Sequence, residues 1–257
     1  MSERRHALVT GAGTGIGRAI ALALAGAGYA VTLAGRRAEP LEAVAGEIDA
    51  DRSLIVAGFD VTDAASVEAG VARAVERFGD IAVLVNCAGE APSAPFERTD
   101  RAMWDRALGV NLTGAFLTTQ AALPSLRRAG NGRIINIAST AGLTGYAYVT
   151  AYCAAKHGLV GLTRALAIEL AKTDVTVNAV CPGFTDTPLL EGAVETITAK
   201  TGRSAEEARA GLARTNPQGR LVTPEQVADT VVWLAGPGAS AVTGQAIVVA
   251  GGEVMAG

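Results

Sequence analysis

The stretch "VTGAGTGIGRAI", Val9 to Ile20, places Gly11, Gly13, Gly15 and Gly17 between a short apolar run and a helical pattern. The run before it, "HALVTG" (6–11), has the length of a strand, and the residues from about Ile16 to Ala27 read as a helix. Glycine allows a tight turn and a close approach of backbone to a bound group. The free N–H groups that open the next helix then face that group and favour negative charge. Between a strand and a helix, in the first βαβ unit, this pattern predicts a loop that holds the pyrophosphate of a dinucleotide, with Thr14 and Ile16 between the glycines.

Working outward, apolar runs of strand length recur at "AVTLAG" (30–35), "SLIVAGFD" (53–60), "AVLVNCAG" (82–89), "RIINIAST" (133–140), "VTVNAVCPG" (175–183) and "GQAIVVAGG" (244–252). Helical stretches such as "AASVEAGVARAVERFG" and "PEQVADTVVWLAG" separate them, the latter with Thr223 as N-cap and Pro224 in first position. Near-continuous apolar strands alternating with helices indicate a parallel sheet covered on both faces. The expected fold is therefore α/β, a single-domain, Rossmann-type, doubly wound sheet of seven parallel strands spanning 1–257. The irregular region 184–216 lies beyond a strand's carboxyl end, where such sheets bind ligands. It reads as a substrate lid, with an ordinary surface helix-loop as the other reading.

An NAD site usually has an acidic residue at the end of the second strand to bind the ribose hydroxyls. Here Gly35 is followed by Arg36 and Arg37, two guanidinium groups suited to a 2′-phosphate. NADP(H) is favoured on that reading; if both arginines are merely solvated, NAD(H) is possible. Asp60 and Val61, at the end of the third predicted strand, are placed to meet the adenine.

The helix "AYCAAKHGLVGLTRALAIEL" (151–170) carries Tyr152 and Lys156 four residues apart, on one face and one turn from each other. A phenol has a free pKa of about 10, and a neighbouring ammonium together with a positively charged nicotinamide ring favours its anion. The spacing predicts that Tyr152 is an acid/base whose pKa is drawn toward neutrality. Cys153 has no partner base in register and is expected to be a buried space-filler, like Cys87 and Cys181; His157 is expected to pack or hydrogen-bond.

Gly11-x-x-x-Gly15-x-Gly17, "NCAG" at 86–89, Asn111, Ser139, Tyr152-x-x-x-Lys156 and "PGFTDT" at 182–187 together resemble the compact branch of the short-chain dehydrogenase/reductase family, over essentially the whole chain. Within it, "YCAAKHGLVGLTRALAIELA" and "VTVNAVCPGF" look most like β-ketoacyl thioester reductases, including polyketide ketoreductases and 3-hydroxyacyl-CoA dehydrogenases. The resemblance implies catalysis by Asn111, Ser139, Tyr152 and Lys156, with Ser139 polarising a carbonyl and Asn111 holding a water behind Lys156. It implies further cofactor contacts from Asn86, Ala88, Gly89, Pro182, Gly183 and Thr187. Cys87 departs from the family's usual second Asn, which bears on local stability more than on catalysis. The expected reaction is reduction of a 3-oxoacyl thioester with NADPH; an NAD-dependent polyol dehydrogenase is the alternative, and a catalytically silent nucleotide sensor would be expected to lack the Tyr or the Lys.

Bulk properties narrow the partners. A net charge of −3 and no basic block argue against nucleic acid. The uncharged stretch Ala19–Gly35 contains Gly26 and Gly28 and is too short to span a membrane. Three cysteines without C-x-x-C spacing suit a reducing, cytoplasmic setting. Few basic residues (Arg127, Arg128, Lys172) are candidates for docking a carrier protein, which tilts the expectation to a CoA thioester or small ketone in a pocket bordered by Leu143, Tyr146, Leu189 and Leu190. The resemblance implies a homotetramer packed through the helix 151–171; a buried helix in a monomer explains the same residues.

Overall fold

The computed structural model describes residues 5–255. Its elements follow the chain as β1 (His6–Thr10), α1 (Gly15–Gly26), β2 (Ala30–Gly35), α2 (Ala38–Ala45), β3 (Ser53–Ala57), α3 (Ala64–Phe78) and β4 (Ile81–Asn86). Next come α4 (Arg101–Leu108), a π turn (Gly109–Thr113), α5 (Gly114–Arg128), β5 (Arg133–Ile137), α6 (Thr150–Glu169) and β6 (Thr176–Pro182). The region 184–216 holds α7 (Pro188–Thr201) and α8 (Ala205–Ala213), and the last described elements are α9 (Pro224–Ala235) and β7 (Ala246–Val249). The strands form one sheet in the order β3-β2-β1-β4-β5-β6-β7, and every pairing is parallel.

Period-two alternation sends neighbouring strand residues into different layers. Val9, Val83 and Val85 pack with Ile20 and Leu24 of α1 and Val227 and Leu234 of α9. Leu8 and Leu84 join the opposite core, with Val67 and Val71 of α3 and Leu126 of α5. Because each strand is covered on both faces, its sequence is apolar throughout rather than alternating. The helix α9 starts as expected: the Thr223 hydroxyl accepts from Gln226 N, the Gln226 side chain returns the bond, and Pro224 takes the first turn.

Several strands stop earlier than their apolar runs suggest. β3 ends at Ala57 because Gly58 turns the chain at φ +76°, so Asp60 lies in the following turn. β4 ends at Asn86 because the Thr10 hydroxyl accepts from Cys87 N and Ala88 N, both at 3.0 Å, in place of a ladder bond. β5 ends at Ile137, which frees Ser139 to cap a 3-10 turn over Thr140–Gly142. The region 184–216 is not irregular: α7 and α8 pack on each other through Leu190, Val194 and Ala208. This corrects the expectation for Leu190, which is buried between α7 and α8 rather than lining a pocket, while Leu189 is exposed. Cys87 and Cys153 are half-buried rather than buried.

One core residue is titratable. In β1, His6 is buried; its Nδ1–H donates to Gly79 O at 3.1 Å and its Nε2 accepts from the buried Thr32 hydroxyl at 2.9 Å. Burial lowers its pKa from 6.5 to about 4, so the folded state holds the neutral ring. A depressed histidine means that the unfolded chain takes up the proton first as pH falls. The contribution is intact above pH 6.5 and is lost down to about pH 4, a change of about 3 kcal/mol. Urea unfolding at stepped pH should show that slope in the wild-type protein and a flatter one in His6→Gln.

Candidate active site

The glycine loop forms the turn between β1 and α1, at the point where the sheet order reverses between β1 and β4. α1 leans so closely on that turn that a Cβ on Gly17 would lie 2.2 Å from Gly11 O. Thr14 precedes the helix in extended conformation without a side-chain cap, which leaves the first N–H groups of α1 facing out. A cleft of about 530 Å³ opens there. Its walls include Gly13, Thr14, Arg36 and Arg37 on one side and Val61 and Ala88 on the other. Ile16 instead turns its side chain toward the core.

These residues fit a dinucleotide. The cradle exists only because Gly17 has no side chain, the helix end offers donors for a pyrophosphate, and both arginines are exposed at the β2 end. Asp60, also on the cleft, holds Thr62 through bonds from its N–H at 2.9 Å and hydroxyl at 2.7 Å. Those bonds, with a smaller influence from Arg36, hold its carboxyl below the usual range. Thr187 caps α7, accepting from Leu190 N, and donates to Thr185 O. Its methyl lies 3.2 Å from where a Cβ on Gly15 would sit, so the start of α7 lies close against the glycine loop.

Across the switch point, Asn86 donates to Thr119 Oγ1 at 3.0 Å and to Asn136 Oδ1 at 2.8 Å, and Asn136 donates to Thr163 Oγ1 at 2.9 Å. This buried amide chain ties β4 to α5, to β5 and to α6. The Thr10 hydroxyl fixes the next two residues, a role that no sequence signal distinguished from an ordinary strand threonine.

Tyr152 sits in the first turn of α6, a helix that begins at Thr150. Burial pushes its phenol up to about 12, while a hydrogen bond from Ser139 acts in the opposite direction. In the chain by itself desolvation of the anion outweighs the nearby cation; the sequence expectation of a pKa drawn toward neutrality counted the charge of a nicotinamide ring as well. Lys156 Nζ donates to Ile137 O at 2.8 Å and lies 5.6 Å from the centre of the Tyr152 ring. Burial lowers its own pKa to about 8.

The π turn carries Asn111. Its amide donates to Ala107 O and Glu90 O, both at 2.9 Å, and its Oδ1 accepts from Glu90 N at 3.3 Å. A Cβ on Gly89 would meet Asn111 Oδ1 at 2.9 Å and Lys156 Nζ at 3.7 Å, so both groups converge on the one residue there that leaves them room. π turns inside α-helices concentrate at functional sites, and nothing in the sequence "GVNLT" announced this one.

Cys87 is not a nucleophile: burial pushes its thiol up to about 12. His157 is exposed, with its ring Nδ1 bonded to Cys153 O at 2.9 Å, and takes no part in the site. Two residues that sequence reasoning did not pair are joined near the site: the Tyr146 hydroxyl donates to Glu253 Oε1 at 2.6 Å. Among the described residues no group of side chains is suited to hold a metal ion.

The glycine cradle yields the first test of the site. Gly17→Ala should cost at least about 10-fold in dinucleotide affinity, because the loop must move to clear Gly11 O. Titration of the folded variant with NADPH, followed by protein fluorescence, measures it.

Known proteins agree with this geometry. Residues 5–198 match the model of the short chain dehydrogenase family. A Streptomyces coelicolor protein named as a ketoacyl reductase is 42% identical over 249 residues, covering 96% of this chain and 95% of its own. The D-beta-hydroxybutyrate dehydrogenase of Cupriavidus necator is 39% identical, with 95% of each chain covered. Among solved structures, a single-substitution variant of actinorhodin polyketide ketoreductase with NADPH superimposes with a TM-score of 0.90 at 40% identity, covering 98% of both chains. The chain thus belongs to the short-chain dehydrogenase/reductase family, as an oxidoreductase that interconverts a ketone and a secondary alcohol with a nicotinamide cofactor.

Proposed function

We propose that this enzyme reduces a β-ketoacyl substrate, a 3-oxoacyl thioester in its natural setting, with NADPH as reductant. The observation that carries this reading is the Tyr152 phenol held beside Ser139, with Lys156 Nζ 5.6 Å from the centre of its ring. A protonated phenol so placed can give its proton to the oxygen of a ketone under reduction.

When bound, the dinucleotide supplies the hydride. Ser139 and Tyr152 direct their hydroxyls at the substrate oxygen and stabilise the negative charge that develops there. Tyr152 then transfers its proton to that oxygen. Lys156, anchored on Ile137 O, holds positive charge behind the phenol and binds the cofactor's ribose hydroxyls. Asn111 braces Glu90 and the π turn, and through them the approach of Gly89; its proposed place in a proton relay rests on the family resemblance. Gly11, Gly13, Thr14, Gly15 and Gly17 cradle the pyrophosphate, with Val61 and Ala88 beside the adenosine half. Pro182, Gly183 and Thr187 border the nicotinamide, and α7 and α8 serve as the substrate lid.

Arg36 and Arg37 support the NADPH preference, since they are exposed on the cleft where an NAD enzyme places a carboxylate. The neighbour of known structure was solved with NADPH. The relatives reported above are named for ketoacyl reduction and hydroxy-acid oxidation, which favours an acyl substrate over a polyol.

Acetoacetyl-CoA with NADPH should be turned over, and more slowly with NADH. Arg36→Ala should raise the KM for NADPH about 10-fold or more while leaving that for NADH nearly unchanged, the loss expected of a bidentate phosphate contact. Tyr152→Phe should lower kcat by about 10²–10⁴-fold with NADPH binding retained. Turnover that is faster with NADH would overturn the cofactor preference.

We further propose a homotetramer in a reducing cytoplasm. Cys87, Cys153 and Cys181 are free thiols, and no helix among the described residues is long and apolar enough to cross a membrane. The outer faces of α5 and α6 expose Phe116 (45%) and Ile168 (79%), apolar residues that a partner's copy of these helices would cover. Sedimentation at micromolar concentration should give four chains for the wild type and fewer for Ile168→Glu.

A further inference from the structure

Glu253 follows β7 in the glycine turn that closes the described chain, and no family motif assigns it a role. Its Oε1 accepts from the Tyr146 hydroxyl at 2.6 Å, a length in the range of an O–H bond to an ionised carboxylate. The Tyr146 oxygen is also 2.8 Å from Thr140 Oγ1. A phenol has one proton, and a carboxylate can only accept, so that proton goes to Glu253 and the Thr140 hydroxyl donates to Tyr146. Glu253 Oε2 is buried and has no hydrogen-bond partner among the described residues. It occupies space that exists only because residue 183 is glycine: a Cβ there would lie 2.7 Å away. Glu253 makes no ion pair with any described residue.

The setting of that charge is the substrate end of the site. Thr140 adjoins Ser139, Tyr146 lies on the loop leading to Tyr152, and the Tyr146 ring meets Phe184, at the base of the lid, edge to face at 5.9 Å. The carboxylate is thus two hydrogen bonds from the residue beside Ser139.

Resting on the β-ketoacyl reading, we propose that Glu253 is a specificity-determining residue whose fixed negative charge excludes free β-keto acids and selects the neutral esters and thioesters of the same acids. A thioester presents an uncharged acyl group to the reacting centre, and the anionic part of a CoA or carrier handle stays at the far end. A free keto acid instead places its own carboxylate near Glu253, where like charges repel. Tyr146, held between Thr140 and Glu253, is the wall through which this discrimination acts.

The test compares acetoacetate with ethyl acetoacetate, two substrates with the same ketone and different charge, at saturating NADPH. The wild type should favour the ester in kcat/KM by about 100-fold or more. Glu253→Gln keeps the shape and removes the charge; it should narrow the ratio about 10-fold, equivalent to about 1.4 kcal/mol. The change should lie in the KM for acetoacetate, with kcat on the ester and the KM for NADPH held within about twofold. A merely structural role would alter both substrates alike.

A wild type that handles acetoacetate as well as the ester overturns the inference without any variant, and so does an unchanged ratio in folded Glu253→Gln; in both cases the reductase reading stands. Turnover of neither compound, nor of acetoacetyl-CoA, overturns the reductase reading and the inference together.

Discussion

The contact on which the rest depends is the seating of α1 against the turn that leaves β1. Gly17 lies so close to Gly11 O that any side chain would force the two apart. With them in contact, the helix N-terminus stands over the carboxyl end of the central strand, and its partial positive charge faces the cleft. Thr187, which caps α7, then reaches the same loop from the far side. The glycine loop and the start of α7 therefore lie against each other, with Gly15 leaving room for the Thr187 methyl.

A second organising element is what burial does to the proton-carrying groups. The same desolvation raises Tyr152 and lowers Lys156, so each is displaced toward its uncharged form. The lysine offsets its burial with a bond to a strand carbonyl, and the tyrosine has Ser139 beside it. Around them, the side-chain chain from Thr119 through Asn86 and Asn136 to Thr163 crosses the centre of the sheet. Its amides are linked end to end, although Asn86 Oδ1 is buried without a partner among the described residues. This arrangement brings the ends of β4 and β5 and the start of α6 to a common point.

Much of this was legible in the chain itself, for identifiable reasons. Strand positions stood out because strands buried on both faces are apolar at every residue, and Gly11 to Gly17, Tyr152 and Lys156 stood out because spacing is geometry. Strand ends were less legible, because they are set by side chains and turns elsewhere: the Thr10 hydroxyl ends β4, and a left-handed Gly58 ends β3. The burial that raises the Tyr152 pKa in the chain by itself was not legible, since spacing reveals a neighbouring charge and conceals desolvation. Leu190 was misplaced because a helical pair with its own small core cannot be told from a pocket wall by composition. The π turn at Asn111 and the meeting of Tyr146 with Glu253, 107 residues apart, had no local signal at all.

The strand order has a consequence for how the molecule is made. β1 is made before every other described strand, yet it ends in the middle of the sheet, with β2 on one side and β4 on the other. Its second edge stays open until Ile81–Asn86 has been synthesised, an interval on the order of ten seconds at about 5–20 residues per second. Throughout that interval Leu8 and Val9, fully buried in the finished protein, belong to a strand with an unpaired edge. The arrival of β4 is the event that closes the central pairing.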